Sequence, residues 1–168
     1  MTVAVFPHLR GSTLTRSGTG RIPFPFTKRI FLEFRALREK HEFLTICQTP
    51  ELACEITLQP VGRYTGLLDA AIIFSDIIVV PKSNGMTVDM LPTKGSHFPN
   101  PPQTPEDIGK LPKVIHTDKE LKCVYDAITL TRSRLERKVP LVGFCGAPWT
   151  LFAYMIEGGS KALRVAKT

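Results

Sequence analysis

Residues 68–81 read LDAAIIFSDIIVVP, and residues 140–159 read PLVGFCGAPWTLFAYMIEGG. Both stretches open on an apolar run of strand length. Leu68 to Phe74 shows little polar alternation, the pattern of a strand buried on both faces of a parallel sheet. Ser75 and Asp76 interrupt the run, and Ile77 to Val80 continue it to Pro81. In the second stretch, Pro140 to Cys145 reads as another buried strand. Gly146-Ala147-Pro148 turns the chain, and Trp149 to Ile156 reads as a short helix that Gly158-Gly159 ends.

The segment that leads into the second strand is the most regular in the sequence. From Asp118 to Arg137, the residues Leu121, Val124, Tyr125, Ile128 and Leu135 share one helical face. Asp118 can cap the start, while Arg132, Arg134, Arg137 and Lys138 suit the negative end of the dipole. Pro140 stops the helix. Two buried strands separated by a helix imply a right-handed βαβ connection and an α/β fold.

Further out the signals are local. Residues 31–47 are helical in part, with Leu37, Phe43 and Leu44 at helix-like intervals. Thr49-Pro50-Glu51 is a helix start, with Thr as the cap and Pro in the first turn. That helix is expected to run to about Leu58, where Pro60 perturbs it. Residues 82–117 form a long connection with a short strand at Met86–Leu91 and a second helix start at Thr104-Pro105-Glu106-Asp107.

Length and charge narrow the function classes. The chain has 168 residues, the size of one ordinary domain. Only two strands read clearly, and a closed eight-stranded α/β barrel takes about 250 residues. No apolar run approaches the roughly 20 residues that cross a bilayer. The net charge of +7 is uneven: residues 1–32 hold five basic groups and no acid, so the other 17 basic residues balance 15 acids to +2. No basic stripe on a folded face points to nucleic acid. Residues 1–30 are therefore read as a basic, disordered leader. Their Arg- and Ser-rich, acid-free composition also fits a mitochondrial presequence, although the prolines and glycines disfavour a long amphipathic helix. Cys47, Cys54, Cys123 and Cys145 form no CxxC pair, no zinc site is expected, and all four are read as free, buried thiols.

Ligands of parallel α/β folds meet the carboxyl ends of the strands. Two such ends stand out: Phe74-Ser75-Asp76, and the Gly-rich exit Gly143 to Thr150 that leads to Tyr154. Asp76, an acid within an apolar run, needs a ligand or hydrogen-bond donors, or else it caps a helix start. Tyr154 is either packed or catalytic. Arg29, Arg35 and Arg38 can clamp carboxylates through their planar forks, or they form a solvated helix face. No phosphate loop, dinucleotide fingerprint, HExxH or GxSxG occurs.

From Phe31 onward the chain resembles the uroporphyrinogen decarboxylases of eukaryotic type. The resemblance is carried by Glu55–Pro60 (EITLQP), Leu68–Pro81, Gly95–Pro99 (GSHFP), Ala127–Arg132 (AITLTR) and Pro140–Gly159. It implies a (β/α)8 barrel, of which residues 31–168 supply the first few strands and helices. It also implies a homodimer that needs no metal or organic cofactor. The implied reaction removes the four acetate carboxyl groups of uroporphyrinogen III, giving coproporphyrinogen III in haem biosynthesis. On this resemblance Asp76 matches the central carboxylate that hydrogen-bonds the pyrrole N–H groups. Tyr154 matches the active-site tyrosine that supports it, and Arg38 an arginine that binds substrate carboxylates. Arg29 falls on the second arginine of an RQAGRYLPEF-like motif, whose first arginine is Pro25 here. The Gly158-Gly159-Ser160-Lys161 segment is shorter than in relatives. The family's later serine, histidine and strands would follow Thr168, so the expectation is a chain that does not act alone. The alternative is an inactive truncated remnant or an incorrectly drawn gene product. A vitamin B12- or methyl-transfer relative is disfavoured by FSD and by GAPWT with Tyr154. Relatives in animals and fungi imply a cytoplasmic protein, and the leader keeps a mitochondrial one open.

Overall fold

The computed structural model describes residues 32–91 and 95–159. Its elements, in order, are α1 (Leu32–Lys40), α2 (Phe43–Gln48), α3 (Pro50–Arg63), β1 (Ala71–Ile72), α4 (Val79–Ser83), β2 (Asp89–Leu91), β3 (Gly95–His97), α5 (Pro105–Gly109), α6 (Thr117–Glu120), α7 (Lys122–Leu135), β4 (Leu141–Val142) and α8 (Pro148–Glu157). The result is a mixed α/β chain with short strands, and its described residues fall into two units. One comprises 32–75 and 123–144, the other 76–122 and 145–159.

The first unit is built on an apolar core. Phe34, Ile46, Cys47, Ala53, Ile56, Ile73, Phe74 and Ala127 are buried together, and full burial of each large side chain stabilises by about 1.5–3 kcal/mol. β1 and β4 pair in parallel, Ala71 with Leu141 and Ile72 with Val142, as the two apolar runs predict. The ladder is shorter than Leu68–Phe74. Ala71 and Ile73 donate to Pro140 and Val142 across the pair at 2.9 and 3.0 Å. The next outward-facing amide, Phe74 N–H, goes instead to the Thr57 hydroxyl at 2.8 Å. That hydroxyl is buried and donates in turn to Ala53 O at 2.7 Å.

Helix α3 starts at Pro50 as expected, but it runs through Pro60 to Arg63. Pro60 lies in the last turn, where its missing N–H forfeits one bond, and its carbonyl still accepts from Tyr64 N–H at 2.9 Å. Thr49 does not cap with its side chain; its hydroxyl donates back to Thr45 O at 2.8 Å. The helix expected over 118–137 is two helices, α6 and α7, divided at Leu121. His116, not Asp118, is the cap residue. Its buried stripe is Ala127, Thr131 and Leu135, while Tyr125 is exposed. The end comes before Pro140, because Glu136 and Arg137 adopt left-handed φ of 50° and 61°. Such angles cost non-glycine residues about 1–2 kcal/mol each.

The second unit has fewer buried apolar groups among the described residues, so its polar contacts weigh more against them. β2 and β3 form an antiparallel hairpin, with Asp89 opposite His97 and Leu91 opposite Gly95. Only the region of its first strand was legible in the sequence. Phe98 N–H and His97 Nδ1 both meet Gly158 O, at 2.9 and 3.1 Å. Gly158, left-handed at φ 75°, closes α8. Thr104 caps α5 in a full capping box with Asp107. Cys47 and Cys54 are buried, Cys123 is partly covered, and Cys145 is exposed, so the expectation of four buried thiols fails at the turn out of β4.

Candidate active site

Asp76 is half-buried on the stretch of chain that leads from β1 into α4. Its Oδ1 accepts from Ile78 N–H at 3.0 Å, closing a side-chain turn two residues long. Its carbonyl also receives Val79 N–H at 3.4 Å. The carboxylate is thus turned back on its own backbone just ahead of α4. This is close to the capping role weighed for it, although the formal cap residue is Ile78.

Tyr154 lies on α8, half-buried, one residue after the buried Ala153. Helices α4 and α8 pack against each other within the second unit. The contact that draws the two segments together is made by a residue with no side chain. A Cβ on Gly146 would sit 2.7 Å from Leu151 Cδ2, 2.8 Å from Leu151 Cγ and 3.2 Å from Ile77 Cβ. Ile77 follows Asp76 directly, and Leu151 stands one helical turn before Tyr154. Gly146 therefore lets the residue after the carboxylate and the helix of the tyrosine close on the same turn. The sequence reading used this glycine only as a turn; the signal available was a glycine between a buried strand and an N-terminal helix proline.

Arg38 belongs to the other unit. It is exposed at the end of α1, where its Nη1 donates to His41 O at 3.0 Å. Its guanidinium carbon stands 5.5 Å from the centre of the Phe43 ring. Arg35 is exposed on the same helix. Arg29 lies outside the described residues, as do the whole of the leader and the Ser160-Lys161 end of the glycine run. Among the described residues, no three of His, Cys, Asp and Glu gather as metal ligands would, and no helix is long and apolar enough to cross a membrane.

Comparison with known proteins decides the family. The family described as uroporphyrinogen decarboxylase (URO-D) matches residues 11–167. The chain belongs to the uroporphyrinogen decarboxylase family. The uroporphyrinogen decarboxylase of Schizosaccharomyces pombe is 50% identical over 172 residues, covering 98% of this chain and 48% of that protein. That of Dictyostelium discoideum is 48% identical over 91% of this chain and 43% of its own length. The human protein of the same name is 46% identical over 94% of this chain and 44% of its own length. The chain thus spans about half the length of the curated relatives it matches. The match begins ahead of Phe31, within the basic leader.

GSHFP and the EGG that follows Tyr154 are far apart in sequence, yet they meet. His97 and Phe98 bond Gly158, and His97 bridges to Gly159. A Cβ on Gly159 would lie 2.7 Å from Ser96 O, at a φ of 155°. Two of the segments that carry the resemblance are therefore two sides of one contact at the end of the Tyr154 helix.

Proposed function

We propose that this chain supplies the first strands and helices of a uroporphyrinogen decarboxylase barrel and takes part in removing carboxyl groups from uroporphyrinogen III. The parallel pairing of β1 with β4 across α7 supports a barrel reading, since consecutive barrel strands pair in this way. In such a reaction each acetate arm loses its carboxyl group as carbon dioxide, and the remaining methylene takes up a proton to become a methyl group. Positive charge develops on the pyrrole ring during this exchange. A fixed carboxylate facing the pyrrole N–H groups would stabilise that charge without reorganising at the moment of reaction.

Asp76 is the residue we assign to that role. The observation that carries the assignment is its place at the carboxyl end of a buried parallel strand, with Oδ1 already oriented by Ile78 N–H. Tyr154 supports it from α8, and Arg38 and Arg29 bind substrate carboxylates. The substrate is a small polyanion, the working form a homodimer as in the family, and the compartment the cytoplasm.

The test is decarboxylation of uroporphyrinogen III by the purified chain, with product carboxyl groups counted chromatographically. Where the wild-type chain turns over, Asp76→Asn should lower the rate at least about 100-fold, the scale for losing one preorganised electrostatic group. Turnover retained in Asp76→Asn removes Asp76 from the role. Absence of turnover in the folded wild-type chain favours an inactive remnant.

A further inference from the structure

We propose that Phe43 positions Arg38 for carboxylate recognition, an inference that rests on the substrate-binding role assigned to Arg38 above. A long, exposed arginine ordinarily samples many rotamers, and fixing it in a complex costs affinity. Arg38 is held from two directions before any ligand arrives. Its Nη1 donates to His41 O at 3.0 Å, just past the end of α1. Its guanidinium stacks 5.5 Å from the centre of the Phe43 ring, on the first residue of α2. This is within the range where the electron-rich face of an aromatic ring attracts a cation.

The platform under the guanidinium is itself fixed. Phe43 meets Phe74 edge-on, with centroids 5.7 Å apart at 68°. Phe74 meets Phe34 at 5.9 Å and 58°, and its backbone N–H is held by the buried Thr57 hydroxyl at 2.8 Å. Arg38 is thus connected, ring by ring, to the end of β1. Contact with the ring draws on the charge of the cation, and Arg38 remains exposed at the end of α1. The His41 carbonyl takes one of five N–H donors, so the remaining edge suits a bidentate carboxylate. Of the two arginines on α1, Arg38 is the one placed over the Phe43 ring.

Uroporphyrin III, the oxidised octacarboxylate, serves as the probe, titrated by fluorescence against the full chain. The Arg38 Nε–H resonance is followed in parallel by NMR. Arg38→Met is expected to weaken binding roughly tenfold or more, the scale of a charge-assisted hydrogen bond. Phe43→Leu, which keeps apolar volume but has no ring face, is expected to weaken it roughly two- to fivefold. The double variant should bind no worse than Arg38→Met, and Phe43→Trp should bind as the wild type does. The ring-current displacement of the Arg38 resonance should vanish in Phe43→Leu and persist in Phe43→Trp. Additive losses, or wild-type affinity in Phe43→Leu, overturn the proposal. So does a resonance indifferent to Phe43, whatever the titration shows. Affinity unchanged in Arg38→Met, or absent from the wild type, overturns it through Arg38. Neither readout needs turnover, so failure of the decarboxylase reading registers separately.

Discussion

The two units of this chain are stabilised by different means. Residues 32–75 and 123–144 enclose a continuous apolar core, with Phe74 touching Phe34 and Phe43 and hanging from Thr57. Residues 76–122 and 145–159 rely more on close glycine contacts and directed hydrogen bonds. Gly146 admits Ile77 and Leu151, Gly158 O receives Phe98 and His97, and Thr104 pairs with Asp107. The candidate carboxylate and tyrosine both fall in the second kind of structure. Apolar packing fixes where a strand runs, but backbone and polar contacts fix where a carboxylate points.

If this contrast is right, the largest stability loss comes from the core. Phe74→Ala should destabilise by about 3–5 kcal/mol, the range for deleting a buried aromatic ring. Urea unfolding followed by far-UV circular dichroism measures it. A loss below about 1 kcal/mol would mean that the core is not the main source of stability, and the contrast would fail. In the second unit the matching change adds atoms instead of removing them. Gly159→Ala places a Cβ 2.7 Å from Ser96 O at a φ of 155°. It should cost about 1–3 kcal/mol, the range for backbone strain at such a position. Its effect should be local: amide exchange should rise at Phe98, whose N–H bonds Gly158 O, before it rises at Ile73. Equal rises at both would show that the two regions open together.

Much of the apolar half was legible. The runs Leu68–Phe74 and Pro140–Cys145 announced a parallel pair, because burial on both faces removes polar alternation. Asp76 stood out for the same reason, as a charge where the pattern allows none. What stayed hidden were devices without a periodic signal. The second strand of the β2–β3 hairpin is fastened at its end to Gly158, far along the chain. The break at Leu121 interrupts a helical pattern that reads as continuous. Thr57 looks like an ordinary helix residue, and its role depends on a strand that comes later. Gly146 reads as punctuation until Ile77 and Leu151 are placed around it. Pro60 misled in the other direction, since a proline in a last turn forfeits only one bond.

The smallest effect sharpens the contrast from its polar side. At the start of α5, Asp107 receives Thr104 N–H at 3.2 Å and Gln103 N–H at 3.3 Å, and it pairs with Lys110 at 2.7 Å. The Lys110 ammonium first, and then these donors, hold its carboxyl down to about 2. Glu106 beside it is lowered too, chiefly by a backbone N–H. A carboxyl depressed in the folded state contributes stability above the unfolded value of about 3.9. That contribution is lost as the pH falls through the folded value. The capping box should therefore persist at pH 4 and fade toward pH 2. Asp107 is still one-third exposed (33% of its side chain), so solvent screening keeps the consequence for the whole fold slight. The carbon-13 shift of the Asp107 carboxyl, titrated between pH 6 and pH 2, gives the midpoint directly. A midpoint near 4 would mean that the Lys110 and backbone contacts do not form in solution, and that the polar fastening of this unit is weaker at α5 than at Gly158. Lys110→Met should raise a low midpoint further than the loss of any other single contact, because the ammonium is the largest of the influences on it.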